Sequence, residues 1–207
     1  MQKRWLFSGI FLVLVIVLIG AVFLLAPNSS QIDFLNISNN SSPACLTKTD
    51  DSCLVMPSVT GLTSDSVDVS FPEQFDSEYH LVVMPFDREQ QVLAVTWLPL
   101  FQELSADNEA LQYWSIAALP ELNTAIRFLV MTGLSAGIVD DEVRSQVTVL
   151  FLEQQDAFLE ALGIDNDAII QAFIMDNEGV VYYRAIGELT AENGADFREA
   201  LNDLLAD

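Results

Sequence analysis

From His80 to Ile186 the chain alternates compact apolar runs with stretches in which apolar residues recur at helical spacing, and this alternation restricts it to a mixed α/β architecture. HLVVMPF (80–86) has strand length, with Pro85 limiting its last pairing positions. Over Glu89–Ala106 the period changes: Leu93, Trp97, Leu100, Phe101 and Leu104 share one helical face, and Pro99 predicts a kink within that helix. LQYWSIAA (111–118) reads as a second strand. The helix expected over Leu122–Leu134 sets Leu122, Ile126, Leu129 and Val130 on one face. QVTVLF (146–151) is a third strand, and Gln154–Leu162 a short helix. IIQAFIM (169–175) and VVYYRAI (180–186) flank the turn Asp176-Asn177-Glu178-Gly179, which makes them a β-hairpin. The last amphipathic helix turns Phe197, Leu201, Leu204 and Leu205 inward, with Thr190 or Asn193 as its N-cap. A short strand also alternates Val67 and Val69 with Asp68 and Ser70. The order β–α–β–α–β–α–β–β–α implies a mixed sheet with helices on both faces.

Within this order the chain sets Phe86, four residues, Gln91-Val92-Leu93-Ala94, four residues and Pro99 in succession, and later closes on FIMDNEGVVYYRAIGELT. These words resemble the thioredoxin-like fold over about Ser58 to Asp207. In that family an apolar strand ending in Phe precedes a C-x-x-C, a kinking Pro follows, and an Asp-turn-Gly hairpin closes the sheet. The resemblance implies an α/β class protein, a three-layer α/β/α sandwich with a mixed sheet. It also exposes two departures. The redox cysteines of the family fall at Gln91 and Ala94, neither of which can form a thiolate. The family's cis-proline, six residues before the hairpin Asp, falls at Ile170, where a cis bond would cost about 2.5–4 kcal/mol and a trans bond is expected. The resemblance therefore implies a scaffold without its redox centre. The segments Gly137–Arg144 and VTVLFLEQQDAFLEALGI are further similar to a dithiol-free group, the mitochondrial ATP-synthase assembly-factor family and its bacterial relatives, which implies a chaperone-like role on a membrane complex.

Ahead of this region Trp5–Leu25 runs without a charge, and as a helix it would extend roughly 31 Å, the thickness of a hydrocarbon core. Ala26-Pro27 is a poor cleavage junction, so residues 1–26 are expected to be a transmembrane signal anchor. Lys3 and Arg4 then predict a cytoplasmic N-terminus and a single-pass topology with a periplasmic or extracellular domain. Residues 27–57 read as a Ser/Asn-rich linker and 58–207 as the thioredoxin-like domain. The linker holds the only cysteines, Cys45 and Cys53, which in an oxidising compartment are expected to pair and to stabilise the chain by about 2–3 kcal/mol. The alternative is a reactive dithiol.

The charge balance, 30 Asp and Glu against 8 Lys and Arg for a net −22, excludes a groove that tracks nucleic-acid phosphates. One histidine and two cysteines exclude a zinc-type site, and no metal or other cofactor is expected. Asp140-Asp141-Glu142 reads as an acidic first helical turn, Asp165-Asn166-Asp167 as a loop, and His80 as a strand residue without an acid–base companion. No nucleophile elbow, G-x-G-x-x-G or Walker pattern occurs. What is left is Arg88, Gln90 and Gln91, at the start of the kinked helix beside the segment containing Ile170. There a shallow groove is expected to dock an extended peptide or an acidic segment of a partner protein. The function expected is that of a membrane-anchored, extracytoplasmic binding or assembly factor for a membrane or envelope protein, not an enzyme. The alternative is a thiol-disulfide oxidoreductase that uses Cys45 and Cys53.

Overall fold

The computed structural model describes residues 42–43, 53–137 and 141–206. Their strands are β1 (Ser42–Pro43), β2 (Val59–Thr63), β3 (Asp68–Phe71), β4 (Tyr79–Met84), β5 (Leu111–Pro120), β6 (Val147–Leu152), β7 (Gln171–Asp176) and β8 (Val181–Ile186). They form one sheet in the order β1-β8-β7-β4-β5-β6-β2-β3. Central β4 runs parallel to β5 and antiparallel to β7; β5 and β6 are also parallel, and the remaining pairings are antiparallel. Helices α1 (Arg88–Ala94) and α2 (Leu98–Ser105) follow β4. Helices α3 (Thr124–Gly137) and α4 (Asp141–Gln146) connect β5 to β6, α5 (Gln155–Ala161) precedes β7, and α6 (Ala191–Ala206) closes the chain.

Alternation along β4 explains the layering, because successive side chains of a strand point to opposite faces. Leu81 and Val83 join Trp97, Phe101, Phe197 and Leu201 beneath α2 and α6. Val82 and Met84 face the other way and join Phe71, Trp114, Phe158 and Leu159, beneath α5. A smaller cluster packs Met131 and Leu134 of α3 on Ala117 and Val149. This is the three-layer, thioredoxin-like α/β/α sandwich with a mixed sheet. The closing hairpin is held by Asp176, wholly buried, whose Oδ1 accepts the N–H groups of Glu178 (2.9 Å) and Val180 (3.0 Å). Tyr182 donates its hydroxyl to Oδ2 at 3.3 Å. Burial, reinforced by Asp176, pushes the Tyr182 phenol above its ordinary pKa. Gly179 sits in the turn at φ 79°, in the left-handed region. At the start of α6, Thr190 and Asn193 each accept the other's backbone N–H, a reciprocal cap.

Several expectations need correction. Glu89–Ala106 is two helices, because Pro99 has no N–H and crowds the carbonyl four residues back; it opens α2 near its N-terminus instead of kinking a continuous rod. Helix α3 buries Val130, Met131 and Leu134 but leaves Ile126 and Leu129 exposed, so its inward face is rotated from the expected one. Its sequence is apolar on most sides, and periodicity alone does not fix the phase. Leu205 is likewise exposed on α6. Inside the stretch read as linker, Ser42–Pro43 pairs with β8, Val55 bridges to Val180, and Met56 is buried with its N–H on the Gly179 carbonyl at 2.9 Å.

The membrane expectation is corrected too. Among the described residues no helix is long and apolar enough to cross a membrane. The longest, α6, has 16 residues, about 24 Å of helix against a hydrocarbon core of about 30 Å, and one side of it is acidic. The described fold is thus the sandwich without a spanning helix, and anchoring, a membrane partner and single-pass extracytoplasmic placement have no support in it. The run Trp5–Leu25 lies outside the described residues.

Candidate functional site

The strand-to-helix junction after β4 is built around Gln90. Asp87 takes an extended conformation and caps α1 by accepting the Gln90 N–H at 2.9 Å. The Gln90 side chain is only 3% exposed. Its Oε1 accepts the Phe86 N–H at 3.0 Å, while its Nε2 donates to Asp87 Oδ2 at 3.1 Å and to the Asp167 carbonyl at 2.6 Å. One buried amide therefore ties the end of the strand, the cap of the helix and the 165–168 loop together. Gln90 was expected to help bind a ligand; every one of these bonds is internal, and they make it a clamp.

Gln91 and Ala94 lie three residues apart on α1, at the positions the resemblance assigns to the redox pair. Gln91 is half-buried and Ala94 is buried in the same cluster as Trp97, Ile170 and Ala172. Ile170 is wholly buried, so it backs the junction from inside and presents no surface. Among the described residues the single cis bond is Phe71-Pro72, so the bond before Ile170 is trans. Its carbonyl accepts the Gly187 N–H at 2.9 Å, and the Gly187 carbonyl accepts the Trp97 indole N–H at 2.9 Å. Thr96 completes the stitching: its hydroxyl donates to the Leu93 carbonyl (2.6 Å) and accepts the Leu189 N–H (2.9 Å). Arg88 is half-buried and interacts within the protein.

Two residues missed as site candidates stand out. Val92 is 49% exposed and Leu93 37%, side by side between Gln91 and Ala94. Helical spacing across Glu89–Ala106 assigned Leu93 inward together with Trp97. The break at residues 95–97 uncouples the two, and a reading that ended α1 at the turn before Leu98-Pro99 would have found Leu93 outside. The junction thus offers an exposed apolar pair and, at the two redox positions, no thiol.

The remaining candidates do not join it. His80 is fully buried, donates from Nε2 to the Ser77 carbonyl at 3.0 Å, accepts the Trp114 indole N–H on Nδ1 at 3.1 Å, and stacks on Phe75 at 4.3 Å. Burial holds its pKa down at about 4, so at neutral pH it is an uncharged core residue. Asp165-Asn166-Asp167 is an exposed loop, with Asn166 Oδ1 accepting the Ala168 N–H at 2.9 Å. Asp141 opens α4, and Asp140 lies outside the described residues. Among the described residues no group of His, Cys, Asp and Glu side chains is placed to hold a metal. Cys53 is half-buried and disulfide-bonded, and the chain's one other cysteine, Cys45, lies outside the described residues. A separate open groove of about 640 Å³ runs beside β2 and α5, where Arg127 is already occupied by Glu121, by the Leu122 carbonyl and by the Phe151 ring.

No protein-family model and no curated protein matches the chain. Solved structures do. A hypothetical protein from Sinorhizobium meliloti is 17% identical with a TM-score of 0.50, over 82% of this chain and 88% of that one. The thioredoxin domain of a thiol-disulfide oxidoreductase from Bacteroides vulgatus is 17% identical with a TM-score of 0.46, over 71% and 94% respectively. BsSco, a member of the Sco family of cytochrome c oxidase assembly proteins, is 15% identical with a TM-score of 0.49, over 73% and 95%. At 17% identity the likeness to the Sinorhizobium meliloti protein concerns the fold alone.

Proposed function

We propose that this thioredoxin-like chain, whose scaffold lacks the redox cysteine pair, works by binding a polypeptide at the junction between β4 and α1. The observation that carries the reading is the exposed Val92–Leu93 pair, held between half-buried Gln91 and buried Ala94 on a helix whose start is clamped by Gln90. Isolated exposed apolar residues are ordinary. This pair differs in its backing, since bonds from Gln90, Thr96 and Trp97 fix the segments on either side and leave little conformational freedom to lose on docking. Gln91 supplies an amide at the edge of the pair, able to donate to and accept from a passing main chain. Disulfide exchange at this junction is excluded because neither Gln91 nor Ala94 has a sulfur.

The test is site-directed photocrosslinking in the source cells with the full chain, the photoreactive residue placed at Leu93 or, as a control, at exposed Glu199 on α6. A discrete polypeptide adduct from position 93, absent from position 199 and lost on Val92→Ser, is expected. Absence of any adduct from 93, or the same adducts from both positions, refutes the reading.

A further inference from the structure

The surroundings of the Val92–Leu93 pair say what kind of polypeptide fits it. Glu89 lies three and four residues before Val92 and Leu93, so the three share one side of α1. Asp165 and Asp167 are exposed on the loop that Gln90 ties to the helix start. Beyond the other end of α1 exposed Glu188 lies between Gly187 and Leu189, the residues bonded to Trp97 and Thr96. Arg88 is the one base in these segments and it is half-buried. Exposed carboxylates therefore stand in the segments bonded at both ends of the helix that carries the pair, in a chain of net charge −22. An acidic segment, one of the two occupants expected from the sequence, would meet like charge here.

We infer that the occupant is an extended segment of a partner protein in which basic and apolar residues alternate. Its apolar side chains cover Val92 and Leu93, and its Lys or Arg side chains reach Glu89, Asp167 and Glu188. This rests on the proposed docking at the junction and adds the chemistry of the partner. Alternation suits the geometry, because an extended chain points successive side chains to opposite sides, one set to the apolar pair and the other to the rim. The carboxylates attract the right partner and repel acidic ones, so their effect is on specificity and rate of encounter.

The experiment uses the full chain and three nine-residue peptides: alternating lysine and leucine, the same with glutamine for lysine, and the same with glutamate. Binding is measured by titration at about 0.05 M and 0.5 M salt, where screening lengths differ severalfold, and the site is located by backbone NMR. The lysine peptide should perturb residues 89–96, 165–168 and 187–189. It should bind at least tenfold more tightly than the glutamine peptide at low salt and lose most of that advantage at high salt. The double change Glu89→Gln with Asp167→Asn should weaken it about three- to tenfold, while Glu199→Gln with Asp203→Asn, on the exposed side of α6, should leave it unchanged. Equal binding of the glutamine peptide at the same residues overturns the charge inference and leaves docking at the junction standing. Perturbations spread over the acidic surface, equal loss from both double changes, or no binding by the lysine peptide overturns the inference, and the crosslinking test then decides separately whether the junction binds anything.

Discussion

Acidification should cost this fold about 3 kcal/mol through one side chain, His80. The ring is completely buried and its two nitrogens have opposite tasks: Nε2 donates to the Ser77 carbonyl, and Nδ1 accepts from Trp114 at 3.1 Å. Only the neutral ring satisfies both. A proton on Nδ1 would set two N–H groups against each other in the apolar cluster around Phe71, Phe75 and Trp114. Burial is the largest influence and lowers the pKa from 6.5 to about 4; the Ser77 carbonyl, Asp76 and Asp176 pull the other way and lose. Because the folded pKa lies below the unfolded one, nothing is lost above pH 6.5, where both states are neutral. As pH falls from 6.5 towards 4 the unfolded chain takes up a proton that the folded chain refuses, and stability drops; below about 4 the loss is complete. At 1.36 kcal/mol per pH unit, the interval from 6.5 to about 4 gives about 3 kcal/mol. Urea unfolding at pH 7 and pH 4, for the native chain and for His80→Gln, isolates this contribution, since the carboxylates titrate alike in both. The variant should be less stable at pH 7 and lose about 3 kcal/mol less on acidification. His80 is the only histidine, so its ring resonance gives the folded pKa directly. A value near 6.5, or equal losses in the two proteins, would refute the account of the buried ring.

Three further outcomes follow from local geometry. Gly61→Ala should destabilise by about 1–3 kcal/mol in thermal or urea unfolding, because an added Cβ would stand 2.6 Å from Leu150, 2.8 Å from Thr148 and 2.9 Å from the Val149 carbonyl, which cannot swing away. Gln90→Ala should cost about 2–3 kcal/mol, since it strands the Phe86 N–H and the Asp167 carbonyl, and hydrogen exchange at Phe86 should accelerate with it. The pair Gln91→Cys with Ala94→Cys, kept reduced, should be alkylated first at 91, where the side chain is half-buried, and much more slowly at 94, which is 4% exposed; equal rates would contradict the placement of Ala94 in the core.

The closing hairpin was legible because its signal is local: two apolar runs, a turn ending in Gly179, and Asp176 as the short acceptor that holds the turn. β4 and β5 were legible for the same reason, as compact apolar runs bounded by polar residues. β2 was not. VTGLT is short, carries Thr and Gly where an apolar pattern would show, and owes its place to antiparallel partners on both sides, β3 and β6. Gly61 reads as a strand breaker in the sequence; in the fold it is the residue that lets β2 approach Leu150. The face of α3 was illegible because apolar residues occur all round it, and only contact with Ala117 and Val149 selects Met131 and Leu134.

The candidate site divides along the same line. The strand-to-helix junction on which it is proposed could be read, since Phe86, Gln91, Ala94 and Pro99 carry spacing, and spacing is a property of sequence. Which of its side chains face out could not, because two of them reverse their expected burial: Gln90, polar and expected outside, is the buried clamp, and Leu93, apolar and expected inside, is exposed. Both reversals have one cause. A seven-residue helix that ends in a turn before Pro99 has no long face to bury, so its orientation is set by its cap and by the 165–168 and 187–189 segments bonded to it. Those bonds turn Ala94 towards Ile170 and Trp97, and whatever stands one and two residues earlier must then face outward. Ala94 and Ile170 close the junction by packing, and Val92 and Leu93 remain as its exposed apolar surface.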